Sequence, residues 1–377
     1  SIKKGDRLDK KKILITTDTY LPRQDEISSF LSKLVPHIKD QYDITIIAPK
    51  FDGKVQKIDG VKIVRLPLLN IKFADTYFSF KTKEIEKYVS ENDLVFNNTI
   101  GPIGQAAITA AQKLEKPTIS YIHSIEWEAA AGAVKRMKWL AEMVTKRRAQ
   151  KNYNKCSLLL TPTKEAEDIL TAHGINATKI TVETGIEPEI YKPALSKTDA
   201  KKKLGLDTKY TIIGYAGRIG REKDISTLAK AFMRVNKKYK DTLLLIVGDG
   251  ILDEIPNHIK ILKIEGKQNI LPYLQAMDIF VLPSLTETIP RTTLEAMSTG
   301  IPIITTPVGC MKECIKDEEN GLIFPRGDVA VLADKMEMLI SDPKMRQLLG
   351  GRARQTVKEK YRWEETVSRM KKVLEKV

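Results

Sequence analysis

Short runs rich in Ile, Leu and Val alternate with segments of helical period along this chain, and the alternation occurs twice. In the first half, Lys12 to Thr16, Ile44 to Ala48, Val61 to Leu66, Leu94 to Asn97, Thr118 to His123, Leu158 to Thr161 and Ile180 to Glu183 read as strands. Ile27 to Ile38 has helical period, and residues 104–114 form an Ala-rich helical segment. In the second half, the strand-like runs are Thr211 to Tyr215, Thr242 to Val247, Ile259 to Ile264, Ile279 to Leu282, Ile301 to Thr305 and Gly321 to Phe324. Strands alternating with helices predict a parallel sheet wound on both sides. The chain is therefore expected to be α/β, with two doubly wound, Rossmann-like domains spanning 1–190 and 195–360. Residues 187–200, with Pro188 and Pro193, read as the linker, and Trp363 to Val377 as a closing amphipathic helix. Two such sheets facing each other make a cleft at their carboxyl ends, where ligands bind.

Composition narrows the function. A chain of 377 residues has room for two full cores. No apolar run approaches the roughly 18–20 residues of a membrane span. Ser1 to Arg7 lacks the apolar core of a signal peptide. Cys156, Cys310 and Cys314 are too few and too ill-spaced for a disulfide framework or a zinc site, so inert thiols in a cytoplasmic protein are expected. No Asp-x-Asp pair or His cluster calls for a metal, and no cofactor is expected. The net charge of +15 admits nucleic acid, anionic lipid or anionic small molecules as partners. Its even spread over the two halves argues against a nucleic-acid domain.

The stretch from Pro283 to Ile303 carries the most chemistry. Glu287 and Glu295 lie eight apart with a helix start between them. Pro290 suits the first helical turn, and Gly300 ends the helix. That puts Glu287 in a strand-to-helix loop and Glu295 about two turns into the helix. Amides at such a helix start hold anions, and ionised carboxylates accept hydroxyls. Phosphate on the amides with hydroxyls on the carboxylates suggests a nucleotide-sugar, against the plainer reading of two solvated Glu. Arg218 follows a strand through Gly217, and Lys223 lies five residues later. An Arg fork and a Lys point charge suit a diphosphate, although a solvated basic loop reads the same way. His123 ends a strand, a common place for a structural hydrogen-bonder.

The run Ala276-Met-Asp-Ile-Phe-Val-Leu-Pro-Ser, then Glu287 to Glu295, then Ala-Met-Ser-Thr-Gly-Ile-Pro-Ile-Ile resembles the E-x7-E signature of the retaining glycosyltransferases of family 4. The likeness extends to Tyr215-Ala-Gly-Arg-Ile-Gly-Arg-Glu-Lys223, Ile246-Val-Gly-Asp-Gly250, His123 and Tyr361-Arg-Trp-Glu. It implies the GT-B fold, with 361–377 crossing back to the N-terminal domain. It further implies that Arg218 and Lys223 clamp the donor diphosphate and that Glu295 holds the ribose. Glu287 would then face the transferred sugar, the amides of Arg291 and Thr292 the phosphates, and a neutral His123 the donor sugar. Gly217, Thr288 and Ile289 complete the implied donor site. Metal-independent transfer with retention follows from the same likeness. Thr288-Ile289-Pro290 departs from the family's Gly-Phe-Gly-like run, and Gln24-Asp25-Glu26 from its glycine turn. These departures keep open a non-catalytic nucleotide-sugar binder, alongside a GT-B-type sugar-nucleotide isomerase.

Between Val134 and Asn154, Lys135, Arg136, Lys138, Lys146, Arg147, Arg148 and Lys151 face one acid, Glu142. Val134, Met137, Ala141 and Val144 form an apolar stripe at helical spacing, and Trp139 lies off it. Such a helix either lies on an anionic membrane surface or is a solvated face with Trp139 packed on a neighbour. A lipid-linked acceptor at the cytosolic face of a membrane is the first expectation, with Lys135, Arg136, Lys138 and Trp139 on the acceptor side.

Overall fold

The computed structural model describes residues 10–23, 25–53, 57–68, 72–73, 76–77, 82–133, 137–251, 255–258, 260–265 and 269–377. The expectations for Ser1–Arg7, Gln24, Val134, Lys135, Arg136 and Ile259 lie outside the described residues. The chain divides into two compact units, one running to Val182 and including Val367–Val377, the other Glu183–Thr366.

In the first unit the strands are β1 (Lys12–Thr16), β2 (Asp43–Pro49), β3 (Val61–Leu66), β6 (Leu94–Asn97), β7 (Thr118–Tyr121), β8 (Leu158–Thr161) and β9 (Lys179–Thr181), with a small antiparallel pair β4 (Lys72–Phe73) and β5 (Thr76–Tyr77). The seven form one sheet in the order β3-β2-β1-β6-β7-β8-β9, every pairing parallel. The central strands β6, β7 and β8 are buried at every position, because helices cover both faces of a parallel sheet. Leu14, Ile47 and Val95 pack with Ile103, Ala107 and Ala111 of the helix Pro102–Lys113.

The second unit repeats the plan with β10 (Thr211–Ala216), β11 (Thr242–Val247), β12 (Ile261–Ile264), β13 (Ile279–Leu282), β14 (Ile303–Thr305) and β15 (Leu322–Ile323). Their order is β12-β11-β10-β13-β14-β15, again all parallel. Its core joins Ile213, Leu245 and Phe280 to Leu228, Phe232, Leu294 and Leu332 on the flanking helices. In each sheet the chain reverses its direction of travel once, between β1 and β6 and between β10 and β13. The crevice outside the carboxyl ends of two such strands is where open α/β sheets bind ligands.

The unit boundary falls at Val182, before the expected linker. Residues 185–186 are tied to the end of the second unit: Gly185 N–H donates to Thr366 Oγ1 at 2.9 Å, Ile186 N–H to the Tyr361 carbonyl at 2.9 Å, and Trp363 N–H to the Ile186 carbonyl at 2.7 Å. Residues 187–200 are not a bare linker either. Ser196 caps a helix over Lys197–Lys203, accepting from Asp199 N–H at 3.1 Å, and the buried Lys201 bonds Asp278 at 2.7 Å.

Candidate functional site

In the second unit, β10 ends at Ala216 and runs into Gly217, whose φ is +143°. Gly248, after β11, has φ +151°, and a Cβ there would stand 1.8 Å from the Gly217 carbonyl oxygen. The two loops meet backbone to backbone, which only glycine permits. The chain then makes a tight turn, Arg221–Lys223, and Asp224 caps the helix Ile225–Lys238 through Thr227 N–H. That turn delivers Lys223 to the loop after β13. Its Nζ lies 2.5 Å from Glu287 Oε1, with the two side chains 17% and 8% exposed. Ser284 Oγ donates to the same oxygen at 2.7 Å. Leu285 N–H donates to the Glu222 carbonyl at 2.7 Å, so backbone also joins the loops. The structure thus brings Lys223 and Glu287 together at the sheet's reversal point. Arg218 is exposed at 69% and pairs with Glu222 of the same turn. Its backbone is held by Tyr215 Oη, which donates to the Arg218 carbonyl at 2.7 Å.

The helix after that loop differs from expectation in three ways. Pro290 is the cap, not a first-turn residue: its ψ is 80°, while its carbonyl already accepts from Thr293 and Leu294 N–H. The helix Arg291–Ser298 therefore places Glu295 little more than one turn in, not two. The Arg291 amide, expected to face phosphate, donates to the Ile289 carbonyl at 2.9 Å. Instead the Arg291 side chain turns to Glu295, with Nε 3.0 Å from Oε1 and both groups largely buried. Thr292 lies beside Gly217, its Oγ1 being 3.7 Å from where a Cβ would sit. Ile289 is buried, and Thr288 holds its loop through a carbonyl that accepts Cys310 N–H at 3.0 Å. Cys310 and Cys314 are buried, and mutual hydrogen bonding with burial raises the Cys310 thiol pKa well above its ordinary value.

The first unit holds a cavity of about 1400 Å³ at its own reversal point, lined by Asp18 and Thr19 after β1, Asn98 to Gly101 after β6, and His123 and Ser124 after β7. Asp18 caps the helix Pro102–Lys113, accepting from Ile103 N–H at 2.9 Å, Gly104 N–H at 3.2 Å and Thr99 Oγ1 at 2.6 Å. His123 Nε2 lies 3.1 Å from Asn98 Oδ1, and the ring packs against Phe30 and Tyr121. Burial pushes its pKa down to about 3, so the imidazole is neutral at physiological pH. Asp25 spends its charge as the cap of the helix Glu26–Ile38, accepting from Ser28 N–H at 2.8 Å.

Glu126 also lines the cavity. Tyr153 Oη donates to its Oε1, its Oε2 is inaccessible and without a partner, and burial pushes its pKa up to about 8. No motif marks Glu126 or Asp18 in the sequence. The only signal was their position just past predicted strands. The basic segment forms the helix Lys138–Tyr153, entered through Met137 in a left-handed conformation at φ 55°. Trp139 is 65% exposed. The apolar stripe does not face the core as a helix stripe ordinarily does: Met137, Ala141 and Val144 line the cavity, and Val144 is 49% exposed. Among the described residues no group of three or more His, Cys, Asp or Glu could hold a metal ion, and no helix is long and apolar enough to cross a membrane.

Residues 28–188 match the family described as Glycosyltransferase Family 4, and residues 196–356 match Glycosyl transferases group 1. This chain belongs to glycosyltransferase family 4. It transfers sugar from a nucleotide-sugar donor to an acceptor, and the findings favour neither the isomerase nor the non-catalytic binder. An alpha-monoglucosyldiacylglycerol synthase of Streptococcus pneumoniae is 25% identical over 358 residues, covering 89% of this glycosyltransferase and 80% of the relative. A GDP-mannose-dependent alpha-mannosyltransferase of Corynebacterium glutamicum is 24% identical over 333 residues, covering 83% and 76%. The fold is that of sucrose-phosphate synthase from Thermosynechococcus elongatus (TM-score 0.79, 17% identity, 97% and 99% covered) and of Anabaena HepE in complex with UDP-glucose (0.78, 15%, 97% and 100%). Both domains of this glycosyltransferase are thus Rossmann-like, in a GT-B fold.

Proposed function

We propose that this glycosyltransferase moves a hexose with retention, without a metal, onto a lipid-linked hydroxyl at an anionic membrane surface. The Lys223–Glu287 pair at the second sheet's reversal point carries the reading. Transfer separates charge between the anomeric carbon and the leaving diphosphate. Lys223 and Arg218 supply fixed positive charge for the diphosphate, and Glu287 supplies negative charge for the developing oxocarbenium, as preorganised electrostatic stabilisation. The acceptor oxygen bonds to the anomeric carbon on the face that the diphosphate leaves. The bond from that carbon to the phosphate oxygen breaks, and a phosphate oxygen takes the hydroxyl proton. His123, neutral and bonded to Asn98, serves as a hydrogen-bonding group and not as a base. Glu295, with Arg291 on one oxygen, keeps acceptor capacity for ribose hydroxyls.

Retention is supported by the alpha linkage in the names of both relatives, and the lipid acceptor by the diacylglycerol in one of them. The exposed Lys138 and Trp139 support a peripheral membrane site. Turnover is expected to persist in excess EDTA, because the cations facing the leaving group are protein side chains. Donor consumption in EDTA, with the product's anomeric configuration read by NMR, checks both points. Complete loss restored by magnesium or manganese, or an inverted product, overturns the reading.

A further inference from the structure

The helix Lys138–Tyr153 buries only its end, through Ala149, Asn152 and Tyr153. None of residues 138–148 is buried, yet Leu140, Ala141 and Val144 stand in that half and, with Met137, form one wall of the first unit's cavity. Apolar surface left in water gains roughly 25 cal/mol per Å² when covered, so this wall favours an apolar occupant. Leu140, Val144 and Arg148 are spaced four apart and share a face. Along that face the lining passes from apolar through Thr145 to the cation Arg148. Among the described residues Arg148 makes no close ion pair, and its charge acts on the Asp18 carboxyl, lowering that group's pKa against the rise that burial causes. Of the five acids in the lining, Asp18 and Asp25 cap helices, Glu86 bonds Lys113 at 2.6 Å and Glu126 accepts from Tyr153; Glu26 is the fifth. At about 1400 Å³ the space exceeds the roughly 300–1,000 Å³ of a pocket for a drug-sized molecule.

We infer that this cavity binds a phosphate-headed amphiphile, with its alkyl chain against Met137, Leu140 and Val144 and its phosphate on the Arg148 guanidinium. The Arg fork matches phosphate geometry, which a lone Lys would not. On the lipid-acceptor reading, on which this rests, the occupant is the acceptor, and the polar end of the cavity at His123 and Ser124 receives its hydroxyl.

Calorimetric titration of the full chain with dodecyl phosphate below its micelle concentration tests the site, beside dodecyl glucoside and inorganic phosphate. Saturable one-to-one binding of dodecyl phosphate is expected, at least tenfold tighter than either control. Arg148→Gln and Val144→Asp should each weaken it at least tenfold. Lys151→Gln, on the same helix but outside the cavity, should change it less than twofold. Both altered positions are exposed, and thermal melts verify that the variants fold. Wild-type-like binding by Arg148→Gln and Val144→Asp overturns the site, as does inorganic phosphate binding as tightly as the amphiphile. Sugar transfer to an alkyl-linked hydroxyl is measured separately. Binding that passes these tests without any such transfer supports the site and sinks the lipid-acceptor reading. Transfer without saturable binding sinks the site alone.

Discussion

The same strand order is built twice in this chain, and the two reversal points are furnished in opposite ways. In the second unit, the loops after β10 and β13 are drawn together by charge, Lys223 on Glu287, and by the Leu285 amide on the Glu222 carbonyl, while the loops after β10 and β11 meet backbone to backbone at Gly217 and Gly248. In the first, the corresponding loops after β1 and β6 use their polar groups to cap a helix and leave a wide cavity with an apolar wall. Two of its titratable groups are held neutral by burial, which pushes His123 down to about 3 and Glu126 up to about 8. A tight, charged site suits a nucleoside diphosphate, and a wide site of mixed polarity suits a larger amphiphilic ligand. On the proposed reading, one architecture thus separates donor chemistry from acceptor chemistry.

The largest expected effect breaks the charged half. Lys223→Ala leaves Glu287 buried without its cation, and Glu287→Ala does the reverse. Losing one partner of a desolvated pair costs about 2–5 kcal/mol, so donor consumption should fall by roughly 30-fold to 5,000-fold. Steady-state kinetics on both single variants and the double variant decide the matter. Near-equal losses in all three mark a unit, whereas unchanged turnover in Lys223→Ala removes this site from the reaction.

A smaller effect is expected at the glycine contact. Gly248→Ala places a methyl 1.8 Å from the Gly217 carbonyl at a φ of +151°. The loops must part, with a loss of stability of about 1–3 kcal/mol. Thermal melts and the donor KM should both move. A wild-type melt with an unchanged KM shows that the loops tolerate separation.

These two sites also show what the sequence could and could not convey. Nearly every strand was legible, because continuous apolar runs have few alternatives in a chain of this pattern. Glu287, Arg218 and Lys223 stood out because they sit on glycine- and proline-punctuated loops just past continuous apolar runs. The ion pair between Lys223 and Glu287 was not, since 64 residues separate the partners and only the sheet order joins them. Pro290 as a cap and the engaged Arg291 amide depend on backbone dihedrals that residue types leave open. The apolar stripe at Met137, Ala141 and Val144 was seen, but its direction was not: periodicity defines a face without saying whether core or cavity lies opposite. Asp18 and Glu126 carry no pattern because their partners, the helix start at Ile103 and the Tyr153 hydroxyl, stand far from them in the sequence.

The neutral half can be sharpened through Glu126. Its carboxyl has a folded pKa of about 8 against an ordinary value of 4.5. Between those values the folded chain keeps a proton that the unfolded chain releases, so stability falls as pH rises through that window and levels off above it. The slope is about 1.4 kcal/mol per pH unit where the two states differ by one proton. Glu126→Gln mimics the protonated acid and removes the slope. The difference in melting temperature between variant and wild type should grow from pH 5 to pH 8. A constant difference means that Glu126 ionises normally in the folded chain.

The smallest expected effect lies outside both sites, on the helix that walls the cavity. Trp139 is 65% exposed and Lys138 is exposed beside it. On the proposed reading these two face anionic lipid while Leu140, Ala141 and Val144 face the cavity, so one helix joins membrane to acceptor. A basic residue at such a surface is worth about 1 kcal/mol, so Lys138→Ala should weaken partitioning onto anionic vesicles roughly fivefold. The loss should shrink with salt, because exposed charges are screened beyond about 10 Å at 0.1 M. Adding Trp139→Ala should weaken binding further in a salt-independent way, since the ring acts through its apolar surface. Vesicle co-sedimentation at low and high salt separates the two contributions. Equal binding by wild type and the double variant makes this end of the helix a solvated face. The acceptor would then have to reach the first unit's cavity from solution and not from a membrane.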